Sequence, residues 1–169
     1  MDAGRSVELM TVFRCTRALL KRIEVAPAPV NVPSSGKLGD WFVTVVLLKP
    51  QWWLLAVSAT TRLPVLWPAR PFATMATRFP GSLQDVLRGL GVSETAIATE
   101  LDAMGPATFG PTNDRSVLGT LNEFSVALRW AREDRPSESA CKTALWLADT
   151  PILPLHDYPA RMARKAFEG

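Results

Sequence analysis

Between Thr112 and Asn122 the chain runs Thr-Asn-Asp-Arg-Ser-Val-Leu-Gly-Thr-Leu-Asn. No other stretch is as dense in polar groups with a shared direction. Asn113 or Thr112 is placed to cap a helix expected over about 114–132, accepting a hydrogen bond from its first free N–H groups. Arg115 then adds a full positive charge to the first turn, where the helix dipole already carries the positive end. An anion held there would turn that repulsion into attraction. At about 100° per residue, Arg115, Gly119, Asn122 and Val126 fall on one line beside the apolar stripe. Gly119 costs about 1 kcal/mol relative to alanine in a helix interior. Either a neighbouring backbone or a ligand approaching Gly119 would recover that cost. Asn113, Arg115, Ser116 and Asn122 are therefore candidate ligand-binding residues. The structural alternative is that Arg115 pairs with a carboxylate such as Asp40, Asn122 ties a loop carbonyl, and Gly119 admits the sheet.

Two further clusters carry chemistry. Arg14-Cys15-Thr16 stands at an expected strand-to-helix junction, where free N–H groups and a guanidinium suit a phosphate. Leu38-Gly39-Asp40-Trp41 brings an acid and a tryptophan to the start of a strand. Arg14, Thr16, Asp40 and Trp41 thus join the candidates, with Asp40 the weak catalytic one. There is no glycine-rich phosphate-loop pattern. Cys15 lacks a sequence-adjacent base, and His156 is the single histidine. A histidine-dependent hydrolase and a structural zinc site are both disfavoured. No metal and no cofactor is expected.

These groups need positioning elements. Met10–Arg14 reads as a strand, and Thr16 as the cap of a helix through Arg22. Pro27–Gly39 is loop composition. Trp41–Leu48 and Trp52–Ser58 are β-prone and joined by a Lys49-Pro50-Gln51 turn, followed by Arg62–Trp67 at an edge because of Pro64. The first two of these are apolar on both faces, so layers should cover both. Trp52, Trp53 and Trp67 fit core packing better than an exposed stacking platform. Ser82 and Ser93 read as caps of two short helices, the first ending at Gly91 and the second at Gly105-Pro106, forming a helical hairpin. Ala107–Phe109 is a brief strand. Val117, Leu121, Phe124, Leu128 and Ala131 then form one apolar helical stripe. Cys141–Leu147 is a short strand or helix, and Pro159–Phe167 a basic amphipathic helix.

The expected fold is α+β: a small, mostly antiparallel sheet of about 4–5 strands packed on a long helix and a short helical hairpin. Residues 1–9 read as a flexible N-terminus, 10–155 as one domain and 156–169 as a C-terminal tail. A length of 169 residues with 47% apolar residues supports one core without a staple. The net charge of +3 permits an anionic partner but falls short of a strong nucleic-acid binder. Cys15 and Cys141 are far apart and read as reduced thiols, which implies the cytoplasm. Trp41–Ala59 is interrupted by Lys49, Pro50 and Gln51 and cannot span a membrane, and the charged N-terminus does not fit a signal peptide.

Four pieces, in order, carry a resemblance: Arg14-Cys15-Thr16 with Leu19-Leu20, Gly39-Asp40-Trp41-Phe42, Thr112–Asn122, and Asp149-Thr150-Pro151. The chain resembles a family of small bacterial proteins of unknown function with an Arg-Cys-Thr start, a Gly-Asp-Trp strand and a Thr-Asn-x-Arg-Ser-Val-Leu-Gly-x-Met-Asn helix start. Leu121 replaces the methionine of that pattern, and Phe42 a common tyrosine. The resemblance supports the fold and implies that the polar residues share one site; it implies no activity.

Three functions compete. The first is a binding or regulatory domain for a small anionic ligand or a partner's acidic segment near the start of the 114–132 helix. The second is an enzyme acting on a nucleotide or phosphate compound, with Asp40 as base and Arg14 and Arg115 as anion clamps. The third is weak nucleic-acid binding through the basic tail, which Glu133 and Asp134 disfavour. The residues rank the binding domain first.

Overall fold

The computed structural model describes residues 8–25, 31–134, 138–152 and 156–168. Five strands are named β1 (Thr11–Cys15), β2 (Trp41–Leu48), β3 (Gln51–Ser58), β4 (Pro64–Pro68) and β5 (Ala107–Pro111). They form one sheet in the order β4-β3-β2-β1-β5. The β4-β3-β2 half is antiparallel, as the short turns between these strands require. β1 runs parallel to both β2 and β5, so the sheet is mixed rather than mostly antiparallel throughout. The reason is connection length. The segments joining β1 to β2 and carrying the chain to β5 are too long for hairpins and return the chain in the same direction.

Alternation along β2 assigns the two faces. Phe13, Trp41 and Trp67 all pack their rings on Phe79 of α2 (Met75–Gly89), with centroids 4.9–5.2 Å apart. Trp67 and Trp41 are core residues, while Trp52 and Trp53 are half-buried. The other face carries Phe42, Val46 and, across the ladder, Trp53 and Val57. It is covered by α4 (Arg115–Asp134), which packs on β2 and β3. Val117, Leu121, Phe124, Leu128 and Ala131 are buried, the expected stripe. Phe42 and Leu121, the two departures from the resemblance, are both buried.

The remaining helices are α1 (Arg17–Leu20), α3 (Glu94–Met104), α5 (Ala140–Ala148) and α6 (Pro159–Ala166). α2 begins upstream of Ser82, which lies inside it, so the capping role read for Ser82 is not realised. Ser93 does cap α3, accepting from the Ala96 amide at 3.2 Å. α5 packs on β4, α2 and α4 and so covers the open edge of the sheet. α6 is tied to the end of α2 by Arg164 Nε donating to the Leu90 carbonyl at 3.0 Å. Residues 1–7 of the expected N-terminal segment lie outside the described residues. Among the described residues no helix is long and apolar enough to cross a membrane.

Candidate functional site

Register brings Arg14 and Asp40 together. Arg14 stands opposite Phe42 in the parallel ladder, so the residue two positions earlier on the same face, Asp40, comes within reach. Arg14 Nε donates to Asp40 Oδ2 at 3.0 Å, and the arginine is buried. The other oxygen, Oδ1, accepts from the Ser34 amide at 3.0 Å and the Ser34 hydroxyl at 2.8 Å. Ser34 Oγ also accepts from the Val12 amide, and Ser35 Oγ from the Met10 amide. The 34–35 loop is thereby stitched along β1. Asp40 is within hydrogen-bond reach of an arginine, yet both its oxygens already hold that loop and that guanidinium in place. Its role in this geometry is an anchor.

Two residues absent from the sequence reading complete the anchor. Glu100 of α3 is buried and accepts from the amides of Lys37 and Leu38 at 3.0 and 3.3 Å. Ser58 at the end of β3 is fully buried and donates to the Leu38 carbonyl at 2.6 Å. Gly39 follows with φ +70°, and a Cβ there would approach Thr60 Cγ2 to 2.8 Å, so glycine is required. Glu100 reads in sequence as an ordinary helix-surface charge. Only the tertiary fold turns it inward onto amides some sixty positions away.

Thr16 and Trp41 also have structural partners. Thr16 caps α1 through the Leu19 amide and shares a 3.0 Å hydrogen bond with Thr44 Oγ1. Trp41 is sealed against Phe79.

The start of α4 is different. Its cap is Asp114, whose Oδ1 accepts from the Ser116 and Val117 amides at 2.9 and 3.2 Å, rather than Asn113 or Thr112. Asn113, Arg115, Ser116, Gly119 and Asn122 are exposed. Arg115 does not pair with Asp40, whose partners are Arg14 and Ser34. A Cβ on Gly119 would meet nothing within 4 Å, so no described backbone packs there.

Beneath this turn lies Arg62, which sequence reasoning missed. The turn between β3 and β4 is closed by the Ser58 amide on the Leu63 carbonyl at 3.0 Å, and by Thr61 N and Oγ1 on Ser58 Oγ, each at 3.1 Å. That closure holds Arg62 at φ +64°, a left-handed conformation uncommon outside glycine and asparagine. The residue is only 7% exposed. Nη1 donates to the Ala59 carbonyl and Nη2 to Ser116 Oγ at 3.2 Å. Nε is buried without a partner among the described residues. Burial pushes the Arg62 pKa down, while nearby Asp114 pulls it up. The one sequence signal was an arginine within a Ser-x-Thr-Thr-Arg turn, which is weak.

A mixed five-stranded sheet sandwiched between α2 and α4, with a buried arginine under the first turn of α4, defines the class: an α+β domain with a polar helix start. The chain belongs to the family described as Domain of unknown function (DUF6933), whose model matches residues 12–161. No curated protein and no solved structure matches the chain.

Proposed function

We propose that this domain is a non-enzymatic binding or regulatory module that holds a carboxylate or phosphate group at the start of α4. One observation carries the reading: a buried guanidinium, Arg62, whose Nε has no acceptor among the described residues, lies against Ser116 in the first turn. Nε–H lies on the same edge of the guanidinium as Nη2, the fork that matches an oxyanion. An unpaired buried donor is costly, and an anion would relieve it. Asp114 already takes the Ser116 and Val117 amides, so the added attraction comes from the helix dipole and from Arg115, a second cation at the surface. Asp114 limits the net charge, so binding should be selective in geometry rather than driven by bulk charge.

Arg115 and Asn122 are about 10 Å apart along the helix, further than one small anion reaches. A group at the first turn is therefore the minimal ligand, and a longer acidic segment would also cover Gly119 and Asn122. The free thiols Cys15 and Cys141 suit a reducing compartment such as the cytoplasm.

The test is calorimetry with inorganic phosphate, citrate and an acidic peptide, on the parent chain and on Arg62→Gln and Arg115→Gln. The expected result is saturable oxyanion binding that Arg62→Gln removes and Arg115→Gln weakens. If no anion binds, or if both variants bind as the parent does, the reading is wrong. Tighter binding of the peptide than of phosphate selects a protein partner over a small ligand.

A further inference from the structure

At the opposite end of α4 a cavity of about 690 Å³ opens between the helix and the β2–β3 turn. That volume lies within the range of small-molecule sites. Its wall is apolar where Leu47, Pro50 and Trp53 line it. Lys49, Arg129 and Arg132 bring three cations to the same space, against the single carboxylate of Glu133. The C-terminal end of α4 contributes roughly half a negative charge, too little to cancel that excess.

Arg132 is the informative residue. Its guanidinium carbon lies 4.8 Å over the Trp53 ring, and its Nη1 donates to the Glu138 carbonyl at 2.8 Å. Nε and Nη2 are both buried and have no partner among the described residues. These two donors form one edge of the guanidinium, spaced for two parallel hydrogen bonds to a carboxylate. Nature seldom leaves both donors of such an edge dry, because each forfeits its water without a replacement. Burial accordingly pushes the Arg132 pKa down, with Glu138 opposing. No described residue supplies the acceptor that would satisfy the edge, and the adjoining cavity has space for one.

We infer that this cavity is a binding site for a small organic carboxylate with a flat apolar body. The carboxylate takes the Nε/Nη2 edge of Arg132. The body packs on Leu47, Pro50 and the open part of Trp53. Exposed Lys49 and Arg129 attract the anion and close over its rim. The edge is buried, so binding turns the Arg132 side chain toward the cavity while its stacking on Trp53 limits the swing. The site is separate from the start of α4 and does not rest on that reading.

The experiment uses the full chain and the pair 2-naphthoate and 2-naphthalenemethanol, which share a body and differ in the charged group. Calorimetry gives affinity, and nuclear magnetic resonance of the Trp53 indole reports location. The expected result is saturable 2-naphthoate binding that shifts the Trp53 indole, with the alcohol at least about tenfold weaker. Arg132→Gln should weaken the acid at least about tenfold and leave the alcohol unchanged, as suits a bidentate charge-assisted contact. Should Arg132→Gln fail to fold, the exposed pair Lys49→Gln with Arg129→Gln serves: it should weaken the acid and flatten its salt dependence. Arg62→Gln should not change this binding. Equal affinity for acid and alcohol, binding untouched by these variants, or no binding of 2-naphthoate at millimolar concentration would each overturn the proposal.

Discussion

Arg62 and Ser116, fifty-four positions apart, meet where the β3–β4 turn touches the first turn of α4, with Arg62 Nη2 donating to Ser116 Oγ at 3.2 Å. The hydroxyl accepts from the buried arginine and has no acceptor of its own among the described residues, which leaves its O–H able to donate to a bound oxyanion. Ser116→Ala removes both functions. The expected outcome is a loss of about 1–2 kcal/mol in stability, since a second donor of a buried guanidinium is left unsatisfied. Oxyanion affinity should fall several-fold with it. Urea denaturation and phosphate calorimetry check the two effects. Unchanged stability would mean that the 3.2 Å contact contributes nothing in solution.

Ser58 makes a prediction of a different kind. Its hydroxyl donates to the Leu38 carbonyl and accepts from both Thr61 groups, at a fully buried position. Ser58→Ala leaves several polar atoms without partners at once. We expect about 2–3 kcal/mol of destabilisation by denaturant titration, at the upper end for a lost buried partner. Because the same turn sets Arg62, oxyanion binding should weaken as well, although Ser58 contacts no ligand. A Ser58→Ala chain with full stability and full binding would show that the turn is held by its backbone alone.

Local pattern made the frame readable from sequence. The α4 stripe, the β2–β3 hairpin and the edge position of β4 all follow from periodicity and proline placement, and the structure has each of them. The parallel pairing of β1 was not readable, because it depends on which distant segments share a core rather than on any local signal. The sequence grouped Arg14 and Asp40 as candidates for one site, but only strand register makes them an ion pair. Arg62, Glu100 and Arg132 were missed for one reason. Each looks like a solvated charge in its own neighbourhood, and only packing by remote elements buries it. The cap of α4 shows a smaller version of the same limit: three consecutive residues can cap, and the chosen one, Asp114, depends on how β5 delivers the chain.

Burial pushes the Cys15 thiol from its ordinary 9.0 up to about 12, through loss of solvation of the thiolate. In the unfolded chain the thiol ionises near its ordinary value, while the folded chain retains the proton. The folded state therefore binds more protons between those pH values. Its stability is fully present below about pH 9 and declines as pH rises toward 12, by about 1.4 kcal/mol per pH unit from this group alone. Cys15→Ala should show a shallower decline over that window, measured as the difference between the two denaturation profiles. In the native chain at pH 8 a thiol reagent should modify the half-buried Cys141 and leave Cys15 untouched until the protein unfolds. Parallel profiles, or rapid native labelling of Cys15, would contradict this.

Gly119 gives the sharpest separation between architecture and recognition. In the second turn of α4 it has open space where a side chain would stand, so packing among the described residues does not account for it. Gly119→Ala should therefore stabilise the chain, by about 1 kcal/mol from helix propensity alone. Its effect on binding depends on the size of the ligand. Phosphate held at Arg62 and Ser116 lies a turn away and should bind as before. An acidic segment laid along Arg115, Gly119 and Asn122 would meet the added methyl group, and its affinity should fall. A stabilised variant that discriminates between peptide and phosphate would identify α4 as a docking face for a partner's chain. A stabilised variant that binds both normally would confine recognition to the first turn.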